Sequence, residues 1–329
     1  MRRRNLIVGL LAVATLRGAR AQQSKKVRRI AVALAAFPAD VFTDKNDDPF
    51  VKAFFSELHR LGYFERENLL IERYSGEGQN YPDLARDVVR RDPDLIFATN
   101  TPLVLDLKAA TTTIPIVGVF GLPVESGIVA NLARPGGNIT GVAVDIGSEQ
   151  WGKRIQLLRQ VVPHLTTLAF LGTQEVREQV LRLPELGRRW GVGSVGPSLN
   201  RPANEAEYRR VFASLAQIGI DGIAVDDEPE NLANLKVIIE LAEKRRLPVI
   251  YPFKPFVEAG GLMSYGVDPA ELGHHGAAMV GRILKGAKPA EIPIFLPTKF
   301  ELAINPRTAK ALDLTVPPEL LATADEVIE

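Results

Sequence analysis

The 329-residue chain contains no cysteine. This absence excludes disulfides, thiol nucleophiles, thiolate metal sites and lipid attachment to cysteine. Metal binding through histidine is also disfavoured, because the one adjacent pair, His274-His275, would point about 100° apart on a helix. We therefore expect neither a metal nor another cofactor, and we interpret the pair as residues of a helix surface.

The sequence also lacks an excess of either charge, with 40 lysines and arginines against 39 aspartates and glutamates. Such a chain has no generic attraction to DNA or to anionic lipid, so nucleic acid is not an expected partner. The hydrophobic fraction of 46% is ordinary for a globular protein that buries a full core. The length suggests about two domains.

The apolar run near the N-terminus, Leu6–Leu16, has 11 residues and is too short to span a bilayer. It follows the basic stretch MRRR and precedes Ala19-Arg20-Ala21, which places small residues at the −3 and −1 positions. This pattern predicts a cleaved signal peptide at 1–21 and a periplasmic mature protein. Arg3-Arg4 fits a twin-arginine signal loosely, so both the Sec and the Tat route stay open. Cleavage would remove five arginines and no acid, leaving a net charge of −4.

From Arg28 onward, short β-rich runs alternate with amphipathic stretches. Strands are predicted at 28–37, 69–75, 94–100, 115–121, 166–172, 221–227 and 247–253. Helices are predicted at 48–62, with Asp48 as N-cap, at 81–91, from Pro102, and at 151–162, 174–190 and 229–246. The segment 123–145 predicts a short helix, a Pro-Gly-Gly break and a strand. This alternation indicates an α/β protein with parallel sheets in two lobes, which cross first around 135–148 and again near 263–268.

Ligands of doubly wound sheets bind beyond the carboxyl ends of the strands. The residues just past the predicted strands are Phe37-Pro38, Asn100-Thr101-Pro102, Phe120-Gly121, Asp226-Asp227-Glu228 and Tyr251–Phe253. Thr101 is placed to offer a hydroxyl, and the start of its helix favours a carboxylate or another anion.

Three motifs each allow two interpretations. Asp226-Asp227-Glu228 is either a solvated, helix-capping loop or a carboxylate site for a ligand ammonium. The aromatic residues of 251–265 are either core or one wall of a cleft. GVGSVG (191–196) has the glycine spacing of a dinucleotide fingerprint, but a helix precedes it and Pro197 follows, so we predict a flexible loop.

Several stretches together resemble a bacterial family of ABC-transporter substrate-binding proteins that includes tryptophan- and phenylalanine-binding members. The matching stretches are LGYFERENLLIERYSGEG (61–78), TTTIPIVGVFGLPVESGIVANLARPGGNITG (111–141), LPVIYPFKPFVEAGGLMSYG (247–266), RILKGAKPAEIPIFLPTKFELAIN (282–305) and TAKALDLTVPPELLATADEVIE (308–329).

The resemblance implies a type I periplasmic-binding-protein fold, with two Rossmann-like lobes, three crossovers and a ligand cleft between the lobes. The expected organisation is a signal peptide at 1–21, an N-terminal lobe at 28–145 with a return segment at about 265–300, a C-terminal lobe at 146–264, and a C-terminal tail at 300–329 that carries the final crossover. The candidate ligand-binding residues are Phe37, Asn100, Thr101, Phe120, Gly121, Asp145, Asp226, Asp227, Tyr251 and Tyr265.

The sequence departs from the family pattern at several of these positions. Asn100-Thr101-Pro102 replaces the usual Gly-Thr-Pro, and Leu122-Pro123-Val124 replaces Asp-Pro-Val. Gly172-Thr173-Gln174 stands where an Asn-Pro motif is usual, and Asp226-Asp227 where Pro-Asp is usual. The ligand of the better-known members therefore cannot be carried over.

The stretch FVEAGGLMSYG (256–266) would span a strand end, a glycine turn and the start of a crossover. Gly260-Gly261 would allow a sharp reversal that an L-residue resists. Phe256 and Glu258 are then structural, and Tyr265 is either packing or cleft.

These observations predict an exported, monomeric solute receptor that binds an amino acid or related organic acid and delivers it to an ABC permease. Two alternatives remain open. A ligand sensor that presents itself to a membrane receptor would share the same cleft. An exported enzyme is possible on the same scaffold, although no nucleophile-base-orienter set is visible in the sequence.

Overall fold

The computed structural model describes residues 27–145, 147–174, 177–178 and 192–328. The predicted signal peptide at 1–21, most of the predicted helix 174–190 and Gly191 lie outside the described residues. Within the described residues, no helix combines the length and the apolar character needed to cross a membrane.

The first sheet contains five parallel strands in the order β2-β1-β3-β4-β5. Their bounds are β1 (Arg28–Leu34), β2 (Leu69–Ser75), β3 (Leu95–Thr99), β4 (Ile116–Gly121) and β5 (Ile139–Asp145). The helices of this lobe that follow its strands are α1 (Pro49–Arg60), α2 (Tyr81–Arg90) and α3 (Thr101–Ala110). The central strands are buried almost completely, as expected for a parallel sheet covered on both faces.

The second sheet has the order β12-β11-β10-β9-β8-β6-β7 in the described part of the chain. Its strands are β6 (Thr167–Leu171), β7 (Gly193–Val195), β8 (Gly222–Val225), β9 (Val249–Tyr251), β10 (Met263–Val267), β11 (Phe300–Ile304) and β12 (Glu326–Val327). The described helices of this half are α4 (Ser148–Val161), α5 (Glu205–Leu215), α6 (Pro229–Ala233), α7 (Leu235–Lys244) and α8 (Lys254–Glu258). The remaining helices are α9 (Pro269–Leu284), α10 (Pro306–Ala311) and α11 (Pro318–Thr323).

The chain passes between the two sheets three times. It leaves the first sheet after β5, which ends at Asp145, and it leaves the second after β10, which ends at Val267. Helix α9 then packs on α1 of the first lobe, and Phe295 accepts a hydrogen bond from the backbone N–H of Ala143 (2.9 Å). Strand β11 returns to the second sheet and pairs antiparallel with β10. The segments that connect the two lobes therefore follow the ends of neighbouring strands and form the hinge of the cleft.

Helix α1 borders one side of this cleft, and two local features fix where it begins. Asp48 caps α1, because its Oδ1 accepts from the backbone N–H groups of Phe50 (3.0 Å) and Val51 (3.1 Å). Helix α9 lies close against α1 at Gly273, where an added Cβ would come within 2.1 Å of the Phe50 carbonyl oxygen. Only glycine allows this approach, which fixes the start of α1 beside the return segment.

Several element predictions were wrong. The segment 123–138 forms turns rather than a short helix, since Gly127 adopts a φ of 75° and reverses the chain. The helix predicted at 229–246 divides at Asn234 into α6 and α7. Phe256 and Glu258 lie in α8 rather than at a strand end, although Gly260 does make the expected reversal at a φ of 108°.

Strand lengths also differ from the prediction. Strand β1 ends at Leu34 rather than at residue 37, and β9 is confined to Val249–Tyr251. The second part of GVGSVG forms β7, which pairs in parallel with β6, whereas a loop was predicted. The high glycine content of this segment does not give the alternating apolar pattern of a strand, so the short edge strand was not predicted.

Candidate functional site

A cavity of about 340 Å³ lies between the lobes, at the carboxyl edges of both sheets. Its size falls within the range usual for small-molecule sites. Seven of the ten residues selected from the sequence line it: Phe37, Asn100, Thr101, Phe120, Gly121, Asp145 and Asp227. The structure thus brings strand ends from both lobes to one cavity.

Three of the selected residues do not line the cavity. Asp226 is fully buried inside the second lobe, where its Oδ1 accepts from the Asn231 side chain and from the Glu228 backbone N–H (3.1 Å). Tyr251 is also buried and stacks on Phe256, with ring centroids 4.7 Å apart. Tyr265 stacks on Phe300 and packs on the core of the second sheet. All three side chains make their contacts within the second lobe and do not border the cavity.

The polar end of the cavity is centred on Gly121, the last residue of β4. A Cβ placed on Gly121 would lie 3.4 Å from Asp145 Cβ, 3.8 Å from Asp227 Oδ1 and 4.0 Å from Thr101 Oγ1. Residues from both lobes therefore meet at one point. A bulkier residue at position 121 would occupy the space between Asp145 Cβ and the Asp227 carboxylate.

Asp227 is the carboxylate that the second lobe contributes. It is only partly buried as a residue, because it borders the cavity, but its Oδ2 is buried and has no hydrogen-bond partner among the described residues. Its pKa is raised to about 7, first by burial and then by the neighbouring Asp145 carboxylate, while Arg154 opposes the shift. An ammonium group of a ligand beside Asp227 Oδ1 would favour the ionised form.

Asp145 is the carboxylate of the first lobe and is held rigidly. Its Oδ1 accepts from the Gly147 backbone N–H (2.7 Å), and its Oδ2 accepts from Trp151 Nε1 (2.6 Å). Burial raises its pKa, which Arg154 and these two hydrogen bonds counteract. Because both oxygens are engaged and the side chain is 2% exposed, Asp145 acts mainly through its charge.

The start of α3 offers less to an anion than the sequence suggested. Thr101 Oγ1 accepts from the Gly121 backbone N–H (3.0 Å) and donates to the Gly121 carbonyl (3.2 Å), so its hydroxyl is already paired. Asn100 Oδ1 accepts a hydrogen bond from the backbone N–H of Leu103 (2.9 Å), and the Asn100 carbonyl accepts one from the backbone N–H of Val104 (3.2 Å). Pro102 has no backbone N–H to donate. The first turn is left with the backbone N–H of Thr101 for a ligand.

The other end of the cavity is apolar. Its walls come from the loop after β1, the start of α1, the start of α8 and the return segment, and they include Phe37, Phe42, Phe50, Val51, Phe253 and Leu272. The polar residues at this end serve the local fold, since Asn46 Nδ2 donates to the Val41 carbonyl (2.6 Å) and Asp48 caps α1. This end is suited to an apolar, ring-sized group.

Hydrogen bonds between side chains of the two lobes also connect the lobes beside the cavity. Tyr81 of the first lobe donates its hydroxyl to Glu230 Oε1 of the second (2.6 Å), and Asn100 Nδ2 lies 3.4 Å from the same oxygen. Arg201 pairs with both Glu228 and Glu230 and lies over the Tyr81 ring. The pKa of Glu228 is raised to about 8 by burial and by Glu230, with Arg201 opposing the shift. These contacts close the cleft.

Sequence reasoning missed most of the apolar wall and Arg154. Phe42 lies in the long connection between β1 and α1, and Phe50 lies in the first turn of α1. Leu272 comes from a segment more than 200 residues further along the chain. No strand-end rule selects such residues. Arg154 is a charged residue within an amphipathic helical stripe, where a surface position is the usual interpretation, yet it is fully buried.

In the described part of the chain, no group of three or more His, Asp or Glu side chains could hold a metal ion. His274 lies 51% exposed at the side chain beside Glu57, and His275 stacks on Phe295 with centroids 3.7 Å apart. Both histidines therefore belong to the surface and packing of α9.

Comparison with known proteins places this geometry in context. Residues 44–328 match the family described as ABC transporter substrate binding protein. A tyrosine-binding protein of Clostridioides difficile (strain R20291) is 27% identical over 329 residues, which cover 94% of this chain and 91% of that protein. Two solved structures share the fold. An ABC domain from Streptococcus pneumoniae in complex with L-Trp has 23% identity and a TM-score of 0.79, and the match covers 92% of this chain and 99% of that one. A conserved domain protein from Vibrio cholerae has 24% identity and a TM-score of 0.80, covering 92% and 100%.

Proposed function

The chain belongs to the family of ABC transporter substrate binding proteins, and from that premise we propose that it binds an amino acid with an apolar, ring-sized side chain and delivers it to the permease of an importer. The family and the two-lobed type I fold expected from the sequence are confirmed. The ligand and the importer role are the proposal.

The observation that carries the proposal is the division of the cavity into a carboxylate end and an apolar end. Asp227 Oδ1 lies 3.8 Å, and Asp145 Cβ 3.4 Å, from one point beside Gly121, and the negative charge at this end suits a ligand ammonium. The Thr101 N–H at the start of α3 can take one carboxylate oxygen. Phe37, Phe42 and their neighbours would then enclose the side chain.

The relatives support the same class of ligand. One is described as tyrosine-binding, and one solved structure holds L-Trp. The polar atoms at the apolar end of this cavity are engaged in local structure, so a ring without a hydroxyl suits it best. We therefore expect L-phenylalanine to bind at least as well as L-tyrosine, because a buried hydroxyl without a partner is costly.

A thermal-shift screen tests the ligand class. The mature protein from Gln22 is unfolded and refolded to remove carried ligand, and is then exposed to amino acids, aromatic acids, purines and sugars. A ligand present at 100 times its Kd stabilises the native state by about 2.7 kcal/mol. We expect a saturable increase in melting temperature with aromatic L-amino acids and none with the corresponding aromatic acids that lack the ammonium group.

The matched variants are Asp227→Ala in the cavity and Asp87→Ala on α2. Asp87 is an exposed surface residue that pairs with Arg90 in the same helix, so its loss should leave binding unchanged. The proposal predicts that the ligand-induced shift disappears in Asp227→Ala alone. A shift produced by sugars or purines, or a shift equal in both variants, would contradict it.

Delivery to a permease and export to the periplasm are tested in cells. Uptake of the labelled ligand should be lost when the gene is deleted, whereas a pure sensor would leave uptake intact. N-terminal sequencing of the periplasmic protein should read from Gln22 if the signal peptide is cleaved as proposed. A turnover product of the bound amino acid would instead support the enzyme alternative.

A further inference from the structure

Arg154 on α4 is a buried charge that the cavity itself does not explain. Its side chain is 0% exposed, and its Nε donates to the backbone carbonyl of Tyr265 (2.8 Å). Its guanidinium carbon lies 4.6 Å from the centroid of the Trp151 ring. Both Nη atoms are buried and have no hydrogen-bond partner among the described residues. A buried guanidinium carries a large desolvation free energy unless nearby negative charge compensates it.

The compensating charges are the two carboxylates of the cavity. Asp227 and Asp145 are the strongest electrostatic partners of Arg154, followed by Asp226. Trp151 connects the groups physically, since its ring lies against Arg154 while its Nε1 donates to Asp145 Oδ2. Arg154 therefore lies behind the polar end of the site, at the two crossings between the lobes.

We propose that Arg154 is a positioning residue that sets the charge of the ligand site: one guanidinium set against Asp145 and Asp227 leaves one net negative charge for one ligand ammonium. This inference rests on the proposed function for the identity of the ligand. Without Arg154, two carboxylates would face one cavity and would share a proton. A binding ammonium would then have to displace that proton into solvent.

The other charged groups around Asp227 do not supply this cation. Asp226 is held by Asn231 and by the Glu228 backbone, and its pKa is raised well above its usual range by burial. Arg201, the other guanidinium near the cavity in the described part of the chain, is paired with Glu228 and Glu230. Tyr265 faces Arg154 from β10 as a neutral phenol, with its pKa raised by burial. Glu125 approaches Asp145 from the first lobe and adds only negative charge.

The first test uses ligand-free protein, so it does not depend on the proposed function. The side-chain carboxyl carbons of aspartate are labelled with ¹³C, the Asp227 signal is assigned by its loss in Asp227→Asn, and its titration is followed by NMR. We expect the Asp227 midpoint to increase by about one pH unit or more in Arg154→Met, and to stay within about half a unit in Arg154→Lys. An unchanged midpoint in Arg154→Met would overturn the proposal.

A second variant covers the case in which neither Arg154 variant folds. Asp145→Asn removes the competing carboxylate and leaves Arg154 to compensate Asp227 alone. The Asp227 midpoint should then fall by about one pH unit. A midpoint that does not fall would show that the three charges are not coupled, and would overturn the proposal on its own.

The third test measures the affinity for L-phenylalanine between pH 6 and pH 8.5. In Arg154→Met, binding should be at least tenfold weaker than in the wild type at pH 7 and should recover toward the wild-type value at pH 8.5. A loss of equal size at every pH would show a structural role only and would overturn the proposal. If the wild type does not bind L-phenylalanine, the proposed ligand is wrong, and the ligand-free titration decides the role of Arg154.

Discussion

Replacing Asp227 by Asn should make the ligand-free protein more stable at alkaline pH while it removes ligand binding. The folded-state pKa of Asp227 is raised to about 7 from the usual 3.8, mainly by burial. A carboxyl group of this kind favours the fold when it is protonated. Its contribution is present in full below pH 4 and is lost as the pH rises toward 7.

The size of the effect follows from the shift. Each unit corresponds to 1.36 kcal/mol, so the full difference between Asp and a permanently neutral isostere is roughly 4 kcal/mol above pH 7. Because Asp227 borders the cavity and is partly solvated, and because Asn leaves Arg154 with less negative charge, we expect a gain of about 1–3 kcal/mol at pH 8. At pH 4 the gain should be near zero.

Urea unfolding of the wild type and Asp227→Asn at pH 4, 6 and 8 measures this difference. Asp221→Asn is the matched control in the same lobe, because Asp221 accepts hydrogen bonds from the Thr166 and Thr167 backbone N–H groups (2.8 Å each), which lower its pKa. Asp221→Asn should lower the free energy of unfolding at pH 8, where the wild-type carboxylate is ionised, and should have little effect in acid, where that carboxylate is protonated. Equal stability differences at pH 4 and pH 8 for Asp227→Asn would refute the reasoning.

Three further predictions follow from the site and the fold. Binding of an aromatic amino acid at pH 7 should release a fraction of a proton, because the ligand ammonium lowers the pKa of Asp227; titration calorimetry in buffers of different ionisation enthalpy measures the release, and proton uptake would contradict it. Tyr81→Phe removes a buried interlobe hydrogen bond of about 1 kcal/mol, so stopped-flow binding should show a several-fold faster dissociation with an unchanged association rate. Gly273→Ala should destabilise the fold by about 1–3 kcal/mol, because the new methyl group would overlap the Phe50 carbonyl oxygen; Gly137→Ala, which meets no atom within 4 Å, should have little effect in the same unfolding assay.

The topology was predictable from the sequence because strand and helix periods differ and because parallel strands end at one edge. This rule placed Asn100, Gly121 and Asp227 at the cavity from three distant segments. It also placed the N-cap of α1 at Asp48 from the Asp-Pro start of an amphipathic run. Both inferences depend on short-range chemistry that the residues themselves carry.

The rule that ligands bind at the carboxyl ends of parallel strands does not predict whether a given side chain there points into the cavity or into the lobe. Asp226 and Asp227 are adjacent, and successive side chains of an extended segment point to opposite sides. One is buried in the lobe beside Gly172 and the other borders the cavity, and the sequence DD does not distinguish them. Tyr251 is likewise a strand-end aromatic residue whose partner, Phe256, lies within its own lobe.

The two cavity carboxylates suggest how charge controls closure. Asp145 belongs to the first lobe and Asp227 to the second, and both lie less than 4 Å from the point marked by a Cβ on Gly121. Two like charges several ångströms apart repel by roughly 2 kcal/mol at an effective dielectric constant of about 20, and the partial compensation by Arg154 leaves a smaller repulsion that disfavours the closed form. A ligand ammonium between them removes this repulsion, and a proton on Asp227 does the same.

We therefore expect ligand-free protein to close as the pH falls through about 7, the pKa of Asp227. Small-angle X-ray scattering should show a smaller radius of gyration at pH 5.5 than at pH 8.5. Asp227→Asn should keep the smaller radius at both values, because it is neutral throughout. Saturating ligand should remove the pH dependence in the wild type. A wild-type radius that is the same at both pH values without ligand would mean that the Tyr81–Glu230 contacts, rather than the cavity charges, determine closure.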